Sequence, residues 1–174
     1  MFEVLHGLPA YGALPKLINH TGSSVYREGF VVRFLSGTDR EWVGNFQRGL
    51  CSFDCAIPHP NGEGVLVIAG GTAYIVDPSS QSVAQSFGGQ IESCLPAPDV
   101  SGLLLSNGLW VELIDSEGLA WQSRRLAWDG LCILAICDGE VLGEAAHYDG
   151  SWHTFRVRLS DGQASGGAYD GPEP

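Results

Sequence analysis

Apolar residues recur along this chain in short runs, alternating with polar ones and cut by turn residues. GFVVRFLSGTDREWVGNF (29–46) reads as strand, turn and strand around SGTD. TAYIVDPSSQSVAQSFGG (72–89) turns at DPSSQ, LWVELIDSEGLAWQSRRL (109–126) at DSEG and HTFRVRLSDGQASGGAYDG (153–171) at SDGQ. A second set of hairpins lies between them: SFDCAIPHPNGEGVLVIAGG (52–71), IESCLPAPDVSGLLLSNG (91–108) and LCILAICDGEVLGEAAHY (131–148). Runs rich in Val, Ile, Leu, Phe, Trp and Tyr, bounded by Gly, Asp, Ser and Pro, are strand signals. No window carries a capped i, i+3, i+4, i+7 apolar stripe, so no helix is predicted.

Both hairpin sets recur about every 40 residues, which makes four short strands per period, the arithmetic of a β-propeller blade. One four-stranded sheet cannot hide both faces, and stacking successive sheets buries them. The fold class expected is therefore all-β, with propeller-like repeats of four antiparallel strands in about 3.5–4 units. The units fall at about 24–50, 51–89, 91–126 and 131–171. An antiparallel sandwich of about 14 strands is the alternative. Residues 1–23 carry Gly7, Pro9, Gly12, Pro15 and Gly22 and show no alternation. They read as an N-terminal arm lying over the sheets of a single β-repeat domain, 24–174. The hairpin at 29–46 then lacks an inner partner, which comes from the first 23 residues, from elsewhere, or not at all.

Composition sharpens this picture. The 174 residues are 44% hydrophobic, a globular proportion. Net charge is −11, and no Lys or Arg occurs between Arg48 and Arg124. That stretch holds Asp54, Glu63, Asp77, Glu92, Asp99, Glu112, Asp115 and Glu117. Such a chain repels phosphate backbones and anionic lipid, which disfavours nucleic acid and membrane surfaces and favours basic proteins. The five cysteines are odd in number, no secretory hydrophobic segment opens the chain, and no run approaches a membrane span. A reducing cytoplasm is expected, with the cysteines as small buried hydrophobes.

Two strings, REWVGNFQRGL (40–50) and SRRLAWDGL (123–131), join IAGGTAYIVDP (68–78) and SGGAYDGP (165–172) in a family resemblance. Over about residues 26–172 the chain resembles a widespread group of small uncharacterised bacterial proteins with propeller-like hairpin repeats. The resemblance implies the all-β repeat fold and a bacterial source, and no activity. It does not extend to WD-repeat scaffolds, because the pair Trp128-Asp129 occurs once and not once per blade.

The residues offer little recognisable chemistry. Cys51, Cys55 and His59, or Cys132 and Cys137, hold too few ligands at too wide a spacing, since strand residues four apart lie about 13 Å apart. No metal or cofactor is expected. Asp129-Gly130, Asp138-Gly139, Asp149-Gly150, Asp161-Gly162 and Asp170-Gly171 lack calcium-loop spacing and suit hairpin turns. Gly70-Gly71 and Gly88-Gly89 read as sharp corners. No nucleophile elbow or metalloprotease motif occurs. His147 and His153 flank an Asp-Gly turn beside Trp152, close enough to approach each other. Trp42 and Trp110 read as packing residues. Trp121 and Trp128, with Arg124 and Arg125 between them, are the types that dominate binding hot spots.

The function expected is a non-enzymatic protein-binding module. Its sharpest form is an acidic immunity or inhibitor-type partner of a basic bacterial protein such as a toxin or nuclease domain. The eight acids from Asp54 to Glu117, with Trp121, Arg124, Arg125 and Trp128, are the candidate partner-binding residues. Two alternatives stand beside it: an enzyme or small-ligand binder with its site at the axis of the blade ring, and a structural protein that self-assembles through open sheet edges.

Overall fold

The computed structural model describes residues 1–19, 28–35 and 41–172. The turn SGTD (36–39), Arg40, His20 and the expected boundary between arm and repeat domain lie outside the described residues. The protein is all-β. Among the described residues sixteen strands form four four-stranded sheets, and the one helical element is a three-residue 3-10 turn at Pro98–Val100. No helix there is long and apolar enough to cross a membrane. Where the sequence suggests one repeat domain after the arm, the chain groups into two compact units, Met1–Ile91 and Glu92–Pro174.

In the first unit, β1 (Phe2–Leu5), β2 (Lys16–Ile18), β3 (Phe30–Leu35) and β4 (Glu41–Phe46) form a sheet in the order β1-β3-β4-β2. The central β3–β4 hairpin sets Phe34 opposite Trp42. Its missing partners are both N-terminal. β1 runs antiparallel to β3 with Phe2 opposite Phe34, and β2 runs parallel to β4 with Ile18 opposite Phe46. The segment read as an arm thus supplies both edge strands, and Gly7, Pro9, Gly12 and Pro15 lie in the connection between them. Strands of four and three residues are too short to display alternation, which is why the pattern hides them.

The second sheet of this unit is a meander of β5 (Cys55–Pro58), β6 (Val65–Ala69), β7 (Thr72–Asp77) and β8 (Ser82–Gly88). VLVIA is buried at every position and TAYIVD at every position but Asp77, as continuous apolar strands should be. Phe30, Val32, Phe34, Trp42 and Phe46 of the first sheet pack on Val65, Val67, Ala69, Tyr74 and Val76 of the second. Phe34 stacks on Trp42 at 4.4 Å, and Phe46 leans on Tyr74 at 5.3 Å. The polar ends of the large rings are satisfied. The Trp42 indole N–H donates to the Pro78 carbonyl and the Tyr74 hydroxyl to the Gln47 carbonyl. Trp42 is a packing residue, as its strand position predicts.

The second unit repeats the meander twice. β9 (Ser93–Ala97), β10 (Gly102–Ser106), β11 (Val111–Ile114) and β12 (Leu119–Gln122) form one sheet. β13 (Leu131–Cys137), β14 (Glu140–Ala146), β15 (Trp152–Arg158) and β16 (Ala164–Gly166) form the other. Leu104, Val111, Leu113 and Leu126 share a core with Val141, Ala145, Phe155 and Val157. The three meanders begin at residues 55, 93 and 131, close to the spacing of about 40 residues read from the sequence. Two sheets over one core is a packing that a sandwich and a pair of adjacent blades have in common.

Two turns carry the expected glycine chemistry. Gly70 and Gly71, at φ +52° and +83°, link Ala69 to Thr72 in the geometry of a two-residue hairpin whose central residues both need positive φ. A Cβ on Gly71 would lie 2.5 Å from the Cys51 sulfur and 2.8 Å from the Ile91 nitrogen. Asp138 and Gly139, at +53° and +74°, make the same link from Cys137 to Glu140. That Asp-Gly pair is a turn, as its composition suggests.

Candidate functional site

The segment SRRLAWDG, residues 123–130, joins β12 to β13 and laces the second unit together. Leu126 and Ala127 are fully buried in its core. The Leu126 N–H donates to the Leu109 carbonyl, and the Trp128 N–H to that of Ala146. The Leu126 carbonyl accepts from the N–H groups of both Ala168 and Tyr169. With the apolar pair turned inward, Arg124, Arg125 and Trp128 are left toward the surface.

The two arginines are held by backbone carbonyls. Arg124 donates to Gly166 and Arg125, and Arg125 donates to Ala127 and Trp128. The Arg125 guanidinium lies 4.4 Å from the centre of the Tyr169 ring and 5.6 Å from that of Trp128. Beside them opens a cleft of about 550 Å³ lined by Trp110, Gln122, Arg124, Arg125, Tyr169 and Pro172. Trp110 differs from its predicted role: it is half-buried and forms part of the cleft wall, with its indole N–H donating to Glu112 Oε1 at 2.8 Å. It precedes β11, outside the sheet's paired residues, which frees it from the strand's inward face.

A second cluster adjoins Trp128. Its ring meets Tyr148 edge-on at 5.7 Å and Tyr169 at 4.9 Å, and its indole N–H donates to Asp170. His147 packs on Tyr148 at 4.0 Å, with Nδ1 3.0 Å from Asp149 Oδ1 and Nε2 3.9 Å from Asp170 Oδ1. His147 and His153 do approach, at 5.9 Å between ring centres. The arginine–tryptophan segment and the histidine turn, separate features in the sequence, become neighbours through Tyr148, Tyr169 and Asp170. Tyr148 and Tyr169 carry no signal of their own in the sequence, and Asp170 carries only that of an Asp-Gly turn.

Ser151 joins Asp149 to His153. Its Oγ lies 2.6 Å from Asp149 Oδ1 and 3.0 Å from His153 Nε2. In a nucleophilic triad the carboxylate orients the histidine. Here the carboxylate accepts the serine proton itself and also the Ser151 N–H, the arrangement of an Asx turn. The Ser151 hydroxyl bond, the Ser151 N–H and the His147 ring, in that order, hold the Asp149 carboxyl well below the usual carboxylate range.

No family model and no curated protein matches the chain.

The candidate acids divide by what they touch. Asp54 accepts the Gly70 N–H and pairs with Arg48 at 2.6 Å. Asp77 accepts the Ser79 and Ser80 N–H groups and the Ser80 hydroxyl, and these bonds, the hydroxyl first, lower its pKa. Asp115 accepts from the N–H groups of Glu117 and Gly118, and Glu112 from Trp110. Glu63, Glu92, Asp99 and Glu117 are exposed, and among the described residues none forms a salt bridge. Trp121 is set apart from the arginines. It packs against the core, its indole N–H donates to the Leu159 carbonyl, and its ring lies over Gly162.

Among the described residues no three His, Cys, Asp or Glu side chains converge to hold a metal ion. The Cys51 thiol donates to the Ile91 carbonyl. His59 is buried in the β5–β6 turn, its Nδ1 accepting the Asn61 N–H.

Proposed function

We propose that the protein is a non-enzymatic protein-binding module that engages a basic partner through carboxylates on its turns. The observation that carries the reading is the state of Glu63, Glu92, Asp99 and Glu117, exposed and without a cation beside them in the described residues. Glu63 lies in the β5–β6 turn, Glu92 just before β9, Asp99 in the 3-10 turn and Glu117 in the β11–β12 turn. Glu63, Asp99 and Glu117 sit on short turns between paired strands, so the backbone beneath them is already ordered before a partner binds. Opposite fields speed encounter and favour one partner over another. A toxin or nuclease domain with a basic phosphate-binding cleft is the partner class that fits. A cytoplasmic bacterial setting and a propeller-like arrangement of the sheets belong to the same proposal.

The test is affinity capture with the wild-type protein and a variant carrying E63Q, E92Q, D99N and E117Q. One basic protein from the source cell should be retained by the wild type at low salt, released at high salt and ignored by the variant. Retention that neither salt nor the four substitutions weaken overturns the reading.

A further inference from the structure

Six arginines lie among the described residues, and four stand beside carboxylates: Arg33 with Glu3 and Glu41, Arg48 with Asp54, Arg156 with Glu140 and Arg158 with Asp161. Arg124 and Arg125 do not. In a chain of net charge −11, two adjacent cations with no carboxylate salt bridge among the described residues are out of pattern, and both line the same cleft. Each guanidinium gives two N–H groups to backbone carbonyls. Three of its five remain for a ligand. The carbonyl bonds also fix the side chains in place, so little rotamer entropy is lost when something binds.

The walls beside these cations are aromatic. Tyr169 is anchored by its hydroxyl, which donates to the Pro172 carbonyl, and Trp110 by its bond to Glu112. Pro172 and the stem of Gln122 add apolar surface. A cleft of about 550 Å³ falls within the roughly 300–1,000 Å³ of small-molecule sites, which combine apolar walls with a few placed polar groups.

We propose that this cleft binds a small aromatic carboxylate. The carboxylate takes the free edges of Arg124 and Arg125, whose planar forks match its two oxygens. The ring lies against Trp110 or Tyr169. A single negative charge suits the site better than a phosphate dianion, because the protein's own field opposes each added charge. This inference is independent of the acidic turns invoked above.

The experiment is a titration of the ¹⁵N-labelled full chain with benzoate, phenylacetate and indole-3-acetate, followed by NMR. Indole-3-acetamide and inorganic phosphate are the controls. Indole-3-acetate should move the Trp110 indole N–H and the Arg124 and Arg125 Nε–H signals. The amide should bind about tenfold more weakly or worse, the loss of a charge-assisted bond. Arg124→Gln should lower affinity for the acid by a similar factor and leave the amide unchanged. If that variant fails to fold, the acid–amide comparison in the wild type decides alone. Equal binding of acid and amide overturns the proposal. So does phosphate moving the same signals at lower concentration, or silence from all three acids at millimolar concentration.

Discussion

Asp149 and Asp77 are exposed, yet hydrogen bonds from the residue two or three ahead hold both carboxyls below their ordinary range. A depressed carboxylate stabilises the fold above its unfolded pKa, near 3.9, and that contribution is lost as pH falls through the folded value. Acid should therefore loosen these turns only below about pH 4. Carboxyl ¹³C titration should find Asp149 still ionised at about pH 3, with Ser151→Ala moving its midpoint up toward the ordinary value. An unmoved midpoint would mean the Ser151 hydroxyl does not hold the charge. His59 makes a second single-residue claim. Its Nδ1 accepts the Asn61 N–H, so its proton sits on Nε2, and long-range ¹⁵N spectra should show that tautomer. The turn role of Asp149 was legible, because Asp-Gly is a turn pair, whereas Asp77, at the start of the DPSSQ turn, was read as a partner-binding acid. The position of Trp110 was not, because one residue of offset from a strand decides whether its ring faces the core or a cleft.

The turns and edges of the sheets differ in how they tolerate change. Gly71→Ala adds a methyl group against backbone and sulfur at positive φ, and should cost about 2 kcal/mol or more. Gly150 also has positive φ, but a Cβ there meets nothing within 4 Å, so Gly150→Ala should cost about 1 kcal/mol. Urea unfolding of the two variants checks the order, and equal midpoints would show that the close approach to Cys51 does not matter. Deleting residues 1–18 removes β1 and β2 and opens both edges of the β3–β4 hairpin. That variant should aggregate or fail to accumulate as a monomer, by size-exclusion chromatography. The meanders of β5 to β16 were legible because each strand is bounded by turn residues and pairs with its chain neighbour. The first sheet was legible only in its centre. Its edges come from short segments, one of them parallel and about 25 residues before its partner, and no local pattern encodes such pairing.

For the whole molecule, the charge was plain in the sequence and its division between jobs was not. Half of the eight candidate acids serve turns, a corner or an indole, and the rest form no salt bridge among the described residues. With net charge −11 the folded chain repels itself, and added salt screens that repulsion over about 10 Å at 0.1 M. The melting temperature should rise from low to physiological ionic strength, and neutralising Glu63, Glu92, Asp99 and Glu117 should flatten the rise. A variant with the wild-type salt slope would place the repulsion elsewhere. The pairing of β1 and β2 with β3 and β4 also sets an order of events as the chain is made. Residues 2–5 and 16–18 leave the ribosome before the hairpin that receives them exists. A chain arrested before β3 carries Val4 and Leu5 without the strand that pairs with them, and one arrested before β4 still carries Leu17 and Ile18 unpaired, as bait for any other strand edge. Translation speed across that stretch, at roughly 5–20 residues per second, therefore sets how long the nascent protein is most exposed to misassembly.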